Sequence, residues 1–303
     1  MSLHSSLRTL HDVLIPVVPS HLMRWLEEKY LLTCGEQEIH LLSFLCQADR
    51  DALDVGGNEG CFSIFLRKYA REVLTFEPVP HLADELIRKF GHAIDVRCLA
   101  LSASTGRAVL HIPEVGGKLI TALSSLSITP SMRHARIRDI VVETAPLDDI
   151  YHGDVGFIKI DVEGHEEAVL QGAQATIALN RPRMLIEIEE RHAPGALSRI
   201  TTFLGRQDYQ CYFLHHGLVQ PLSQFDPLSM QSEERLLCYG AYINNFIFLP
   251  GEEADELVQA MNARSPHAEL RLHRNIPAQH APLQPARAGY DQQQMPHDQA
   301  LVQ

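Results

Sequence analysis

The 303-residue sequence has no long apolar run and a limited supply of positive charge. No segment approaches the roughly 18 apolar residues that a membrane-spanning helix needs, and no N-terminal stretch has the three regions of a signal peptide. We therefore expect a soluble, cytoplasmic protein with no membrane span. The 38 acidic residues outnumber the 26 basic ones, for a net charge of −12. This charge disfavours a surface that binds nucleic acid phosphates.

The cysteines also lack the spacing of a metal or redox site. Six cysteines are scattered along the chain without a C-x-x-C pair, and most of them lie in apolar stretches. This distribution predicts reduced, buried thiols, which is typical of cytosolic proteins.

The middle of the chain alternates between short apolar runs and segments with helical periodicity. The pattern predicts strands at 51–55, 72–76, 95–101, 156–161, 183–189, 208–215 and 242–250, and helices at 60–69, 81–90, 165–180 and 195–206. Such alternation is typical of an α/β domain with a mainly parallel sheet and helices on both faces. We place this domain at residues 49–263.

Three further segments fall outside this rhythm. Apolar positions at helical spacing in residues 20–47 predict two helices, one on either side of Gly35. We therefore assign residues 1–48 to an N-terminal helical cap. Residues 106–112 and 138–145 predict two β segments, and the polar loop between them could lie over a site. Residues 264–303 are rich in Pro, Gln and His, and we expect a disordered tail.

Apolar residues of the cap suggest a homo-oligomer as one alternative. Trp25, Leu26, Leu31 and Leu32 could form an exposed patch suited to a dimer. They could equally pack onto the sheet.

The stretch DALDVGGNEGCFS predicts a strand, a glycine turn and a helix. Glycine tolerates positive φ and close backbone approach, and free N–H groups at the start of the helix could face a ligand. Glycines at 56, 57 and 60 do not fit the dinucleotide fingerprint G-x-G-x-x-G in any register. A nicotinamide-dependent oxidoreductase is therefore disfavoured, although it remains an alternative.

Acidic residues follow three more of the predicted strands. Glu77 ends the second strand, where a carboxylate can accept ribose hydroxyls. Asp161 ends the strand GFIKID, and Glu187 and Glu189 alternate with apolar residues in LIEIEERH. Because ligands of open α/β sheets bind at the carboxyl ends of strands, these acids are candidate site residues.

Taken in order, the segments DVGGNEGCFS, FEPVP, ALSASTG, LDD, IKIDVEGHEEAVLQGA and PRMLIEIEERH resemble the FkbM family of S-adenosylmethionine-dependent methyltransferases. The resemblance runs from about Asp51 to His192. Gly57 departs from the pattern, because the family usually has alanine there. The resemblance implies a Rossmann-like class I methyltransferase fold, with a seven-stranded sheet whose last strand is antiparallel. It also implies O-methylation of a hydroxyl on a sugar, a glycan or a secondary metabolite.

The resemblance further implies roles for individual residues. The glycine turn would hold the amino-acid part of the cofactor, Glu77 its ribose and residues 100–102 its adenine, while Asp161 would face the transferred methyl group. The implied cofactor-binding set is Asp54, Gly56, Gly57, Asn58, Gly60, Ser63, Glu77, Ala100, Leu101, Ser102 and Asp161.

The acceptor hydroxyl needs help in losing its proton, and the sequence offers two routes. His165 is a candidate general base beside Asp161. Alternatively, Asp161 could bind Mg²⁺ together with Glu187 or Glu189. The candidate catalytic residues are therefore Asp161, His165 and Glu187. A non-catalytic protein that binds a partner through the cap and the tail is a further alternative.

Overall fold

The computed structural model describes residues 20–126, 132, 135–235 and 242–264. In this part of the chain the strands are β1 Asp51–Val55, β2 Val73–Phe76, β3 Asp95–Arg97, β4 Ala100–Leu101, β5 Gly106–Val115, β6 Lys118–Leu119, β7 Arg136–Ala145, β8 Val155–Ile160, β9 Arg183–Glu187, β10 Tyr209–His215, β11 Leu218–Pro221 and β12 Asn245–Pro250. The α-helices are α1 Ser20–Cys34, α2 Leu42–Leu45, α3 Ser63–Leu66, α4 Pro80–Phe90, α5 Leu147–Ile150, α6 Glu166–Gln171, α7 Gln174–Asn180, α8 Ala196–Gly205, α9 Pro227–Met230 and α10 Ala254–Ala263. None of these helices has the length and apolar character needed to cross a bilayer.

The main sheet has the strand order β11-β10-β12-β9-β8-β1-β2-β3 within the described residues. Strands β3, β2, β1, β8 and β9 run parallel, whereas β12 runs antiparallel to both β9 and β10. The predicted α/β class, with a mainly parallel sheet and an antiparallel last strand, is confirmed. Strand β11 is an additional edge strand. It returns from β10 through His216 and Gly217, which both have positive φ, as a tight hairpin turn requires.

The central strands are apolar because both faces of the sheet are covered. Every residue of β1, β8 and β12 is buried, as expected for strands between two helical layers. Leu53 and Ile158 face a core that includes residues of α6, α7 and α8. Ala52 and Phe157 face the opposite core, which includes residues of α1, α2 and α3.

The apolar residues predicted as a patch on the cap are divided between the core and the surface. Leu31 is buried in α1, and Leu32 packs partly against the same core. Trp25 is 52% exposed and Leu26 45% exposed. Only half of the set is therefore available for contact with another molecule.

A second sheet, which the sequence pattern did not predict as such, has the order β4-β7-β5-β6. Strands β5 and β7 pair antiparallel along nearly their whole length. The predicted single strand 95–101 is wrong, because the chain turns at Leu99, whose N–H donates to the Arg97 carbonyl at 2.9 Å. Residues 95–97 stay beside β2, and Ala100–Leu101 pairs with β7 instead.

Several predicted elements are shorter than expected. The helix predicted at 165–180 is interrupted between α6 and α7, where a Cβ on Gly172 would lie 2.0 Å from the Ser102 carbonyl oxygen. In the segment 60–69 only Ser63–Leu66 is α-helical. Strand β9 ends at Glu187, and the chain then turns at Glu189, whose carbonyl accepts the N–H groups of His192 and Ala193. The predicted tail lies outside the described residues from position 265 onward.

Gly57 fits the structure because of its neighbour on β2. A Cβ at position 57 would lie 2.2 Å from Cγ2 of Thr75, which is fully buried. The Thr75 hydroxyl meanwhile lies 2.7 Å from Ser63 Oγ. The methyl group of Thr75 thus occupies the space that an alanine side chain would need.

We expect Gly57→Ala to lower the free energy of unfolding by about 1–3 kcal/mol through overpacking. Thr75→Ser, which removes Cγ2 but keeps the hydroxyl, should relieve the clash in the double variant. Urea unfolding of the two single variants and the double variant measures the coupling between the sites. Simple additivity of the two losses would contradict this explanation.

Candidate active site

A cleft opens at the carboxyl ends of β1, β2 and β8 and encloses ≈ 620 Å³, including the part open to solvent. Its floor includes residues of the glycine turn, Glu77 and Asp161, and its far wall comes from the second sheet. The lining residues are Val55, Gly56, Asn58, Phe76, Glu77, Pro78, Val79, Leu99, Ala100, Leu101, Leu110, Thr121, Ala122, Ser124, Leu126, Asp161, Val162, Glu163 and His165.

The glycine turn is fixed by its own hydrogen bonds. The N–H groups of Gly56 and Gly57 donate to the Phe76 carbonyl at 2.9 and 3.1 Å, and the Gly60 N–H donates to the Gly57 carbonyl at 2.7 Å. Gly56 and Gly60 have φ of +87° and +79°. Of these three, only Gly60 lies at the start of the predicted helix 60–69, and the expectation of a free N–H group there is wrong. The turn presents its backbone surface to the cleft.

Asp54 and Ser63 lie beneath the turn. The Ser63 hydroxyl donates to Asp54 Oδ2 at 2.5 Å and also contacts Thr75, and all three residues are buried. Burial raises the pKa of Asp54 above its ordinary value, although the bond from Ser63 opposes this shift. These side chains brace the turn and do not line the cleft. Gly60 also faces inward, because a Cβ there would lie 2.8 Å from Leu86 and Phe90.

Glu77 follows β2, and its carboxylate accepts hydrogen bonds from the backbone of two segments, the glycine turn and the start of α4. Its Oε2 accepts the Asn58 N–H at 2.7 Å, and its Oε1 accepts the Val79 N–H at 2.8 Å. Burial raises the pKa of Glu77 to about 7, although these two bonds favour the charged form. Glu77 also lines the cleft. Its pKa of about 7 means that its protonation changes near neutral pH.

Asp161, Lys159 and Glu187 form a charged group at the end of β8 and β9. The ammonium of Lys159 is buried and lies 3.6 Å from Asp161 Oδ2 and 4.0 Å from Glu187 Oε2. Nζ has no hydrogen-bond partner among the described residues. Burial lowers the pKa of Lys159, but the carboxylates of Asp161, Glu36 and Glu187 outweigh this effect and hold the pKa above its ordinary value.

Glu187 is the partner of Asp161, and Glu189 is not. Burial, followed by the charge of Asp161, raises the pKa of Glu187 well above its ordinary value, and its Oε1 accepts a hydrogen bond from Asn244 at 2.6 Å. Glu189 instead accepts hydrogen bonds from Arg191 and Tyr242. The predicted cation pair Asp161 and Glu189 is therefore not assembled in this structure.

Two histidines lie near the turn after Asp161, one within it and one from the segment after β9, in different environments. His165 lines the cleft, and its Nε2 lies 3.0 Å from Ser102 Oγ. Burial lowers the pKa of His165, so its imidazole is neutral at pH 7. His192 is buried, and its Nδ1 lies 2.7 Å from Glu163 Oε2. Of the two, only His165 faces the cleft.

The sequence itself matches the model of the Methyltransferase FkbM domain over residues 54–211, slightly more than half of the chain. The chain belongs to the FkbM methyltransferase family. The matched region includes the glycine turn, Glu77, Asp161 and Glu187. It also includes the whole second sheet, so the far wall of the cleft lies within the FkbM domain.

Several solved structures resemble this FkbM-family chain. Methyltransferase FkbM from Methylobacillus flagellatus KT is 20% identical with a TM-score of 0.44, and the match covers 73% of this chain and 52% of that chain. This chain therefore spans about half the length of that protein. Precorrin-6y C5,15-methyltransferase from Geobacter metallireducens GS-15 is 13% identical with a TM-score of 0.38, and the match covers 73% and 90% of the two chains. No curated protein sequence matches this chain.

The structure thus brings together part of the predicted site. Gly56, Asn58, Glu77, Ala100, Leu101, Asp161 and His165 line one cleft. Ser102 is outside the lining but contacts His165, and Glu187 is outside the lining but has an oxygen within 4.8 Å of one of Asp161. Gly57 and Gly60 belong to the turn but do not line the cleft, and Asp54 and Ser63 lie beneath the turn.

Sequence analysis missed three residues of this FkbM-family site. Lys159 is a charged residue inside the apolar strand GFIKID, and the reasoning applied to Asp161 would have singled it out. His192 closes the segment LIEIEERH, but that segment alone does not indicate its contact with Glu163. Glu36 follows α1 and accepts a hydrogen bond from Asn245 at 2.7 Å. No local pattern predicts this pairing, because the two residues are far apart in sequence.

Proposed function

We propose that the protein is an S-adenosylmethionine-dependent O-methyltransferase that acts on a hydroxyl of a sugar, a glycan or a secondary metabolite. The observation that carries the proposal is the shared cleft of Gly56, Asn58, Glu77 and Asp161, in a chain of the FkbM family. The choice of a hydroxyl acceptor rests on the family resemblance. The same family membership argues against the nicotinamide alternative.

The residues of the cleft fit this cofactor. A carboxylate offers about four acceptor positions, and Glu77 uses two of them on backbone N–H groups. The remaining positions suit the two hydroxyls of a ribose. Ala100 and Leu101 would contact the adenine, and the turn from Gly56 to Asn58 would hold the amino-acid part. When bound, S-adenosylmethionine supplies an electrophilic methyl group on its sulfonium.

The protein's own part in the reaction is to orient the acceptor and to take up its proton. His165 is the proposed general base, because its neutral imidazole lines the cleft beside Asp161. Its contact with Ser102 fixes the ring. Residues of the connection between β6 and β7, such as Thr121 and Leu126, line the far side of the cleft and would exclude water.

We expect S-adenosylhomocysteine to bind one site per chain, with an affinity that rises with pH. Ribose hydroxyls donate to the ionised form of Glu77, whose pKa is about 7 in the free protein. Only about one tenth of such a group is ionised at pH 6, so affinity should increase roughly tenfold between pH 6 and pH 8. Isothermal titration calorimetry at several pH values measures this effect.

Glu77→Gln should weaken binding and remove its pH dependence. Glu166→Gln is the matched control, because burial also raises the pKa of Glu166 to about 7 while its carboxylate binds the Gly164 N–H outside the cleft lining. It should keep the pH dependence. Absence of saturable binding by the wild-type protein would refute the proposed function. Equal affinities of the Glu77→Gln variant and the wild type would refute the role of Glu77.

A further inference from the structure

Positive charge is concentrated in the segment that includes the far wall of the cleft. Residues 106–138 contain one acidic residue, Glu114, and five basic residues: Arg107, Lys118, Arg133, Arg136 and Arg138. The formal charge of this segment is therefore +4, and the total of −12 leaves −16 for the rest of the chain. Charge that is separated in this way along a sequence indicates that the basic segment meets an anion.

Two of these basic residues, Arg136 and Arg138, lie on the cleft side of β7. Side chains alternate between the two faces of a strand, so both arginines lie on the same face as Val142. Val142 is buried in an apolar cluster with Leu110, which lines the cleft. Leu110 is opposite Ile140 in the pairing of β5 with β7. At about 3.4 Å per residue, Arg138 is about 7 Å and Arg136 about 14 Å along β7 from that point, at the rim of the cleft.

The two guanidinium groups are free to bind a ligand. Both residues are exposed, and neither forms a hydrogen bond or an ion pair with another described residue. Arg136 lies opposite Glu114 in the strand pairing without an ion pair to it. Arg183 of the main sheet, in contrast, binds Glu253 at 2.7 Å. An unpaired guanidinium presents N–H donors whose spacing matches two oxygens of a phosphate or a carboxylate.

The floor of the cleft has the opposite charge. Asp161 and Glu163 line it, and the lining residues of the described part of the chain include no lysine or arginine. An anion would be repelled from the floor and attracted to the rim. A molecule that has both a hydroxyl and an anionic group would therefore enter in one orientation, with its hydroxyl toward His165 and its anionic group at the arginines.

We propose that the acceptor carries a phosphate or carboxylate group and that Arg136 and Arg138 bind this group. The inference names the substrate class of the proposed methyltransferase and rests on that proposed function. It favours acidic or phosphorylated acceptors over neutral ones. It also gives the second sheet a part in orienting the acceptor.

Pyrophosphate is a minimal probe of this anion site, and the line width of its phosphorus NMR signal reports its binding. In the presence of excess S-adenosylhomocysteine we expect one saturable site per chain. The double variant Arg136→Gln/Arg138→Gln should weaken binding at least about fivefold. Glucose 1-phosphate should compete with pyrophosphate, whereas glucose should not.

The double variant Arg88→Gln/Arg107→Gln is the matched control. It removes the same charge from two other exposed arginines, and Arg107 is on the outer side of β5, which carries the exposed Val109. Its affinity for pyrophosphate should change less than about twofold, because long-range effects of exposed charges are screened by salt. Thermal unfolding confirms that both double variants are folded.

The outcomes separate this inference from the proposed function. S-adenosylhomocysteine binding without pyrophosphate binding would overturn the inference alone. Equal pyrophosphate affinities of the two double variants, or displacement of pyrophosphate by S-adenosylhomocysteine, would also overturn it. Sedimentation with phosphatidylglycerol vesicles that requires the two arginines, without competition by glucose 1-phosphate, would assign them to a membrane surface instead. Pyrophosphate binding without S-adenosylhomocysteine binding would refute the proposed function and leave only an anion site.

Discussion

Lys159→Met is expected to lower the free energy of unfolding by about 3–5 kcal/mol at pH 8, because removal of one partner from a buried charged group leaves the other charges unpaired. Methionine fills a similar volume, so the loss reports on charge and little on packing. Asp161 and Glu187 lie within 4.0 Å of the ammonium, and Asp54 is its cross-strand neighbour on β1. Lys68→Met is the matched control. Lys68 forms a partly exposed ion pair with Glu28, so its replacement should cost less than about 1 kcal/mol.

The loss at Lys159 should shrink as the pH falls. The pKa of Glu187 is already raised above its ordinary value, and removal of the ammonium raises it further. A carboxyl group with a raised pKa in the folded state stabilises that state at low pH, and this contribution is lost as the pH rises through the raised pKa. Urea unfolding of both variants at pH 5 and pH 8 measures the difference. A pH-independent cost, or a cost as small as that of Lys68→Met, would show that the ammonium does not stabilise the acidic group.

Gly56→Ala is expected to be as damaging, for a steric reason. A Cβ at position 56 would lie 1.9 Å from the carbonyl oxygen of Asp161, and the residue has a φ of +87°. The left-handed backbone alone costs about 1–2 kcal/mol for a side chain, and the clash adds about 1–3 kcal/mol. We therefore expect a total loss of about 2–5 kcal/mol and the loss of S-adenosylhomocysteine binding, since the turn and Asp161 must move apart.

Gly116→Ala separates these two contributions. Gly116 lies in the turn between β5 and β6 with a φ of +59°, and nothing lies within 4 Å of a Cβ built there. Its replacement should cost only about 1–2 kcal/mol, the conformational part of the effect. Similar losses of unfolding free energy in the two variants would contradict the proposed contact between the turn and Asp161.

The positions of the cleft residues could be predicted because they follow from local patterns. Glu77 and Asp161 each follow an apolar run, and carboxyl ends of parallel strands meet at one edge of the sheet. Their contacts could not be predicted in the same way. Whether Asp161 meets Glu187 or Glu189 depends on where β9 ends, and apolar alternation continues through Ile188 without marking that point.

Other differences arise from interactions between distant segments. The glycine turn is held to the neighbouring strand, because the Phe76 carbonyl accepts the N–H groups of Gly56 and Gly57. Residues 95–101 have the pattern of one strand, but they are divided between the two sheets. Residues 95–97 pair with β2, and Ala100 and Leu101 pair with β7. Tertiary packing decides which strands pair and in which register. The propensity of a single segment carries no information about its partners.

The two walls of the cleft come from separate parts of the chain. Gly56, Glu77 and Asp161 follow strands of the main sheet, whereas the continuous segment between β4 and α5 carries Leu110, Thr121 and Leu126. Among the described residues, Ser125 Oγ of this segment donates to the Glu163 carbonyl at 2.6 Å and so joins the two walls. Under the proposed function, exchange of this one segment would change the wall that faces the acceptor and leave Gly56, Glu77, Ala100 and Leu101 unaltered.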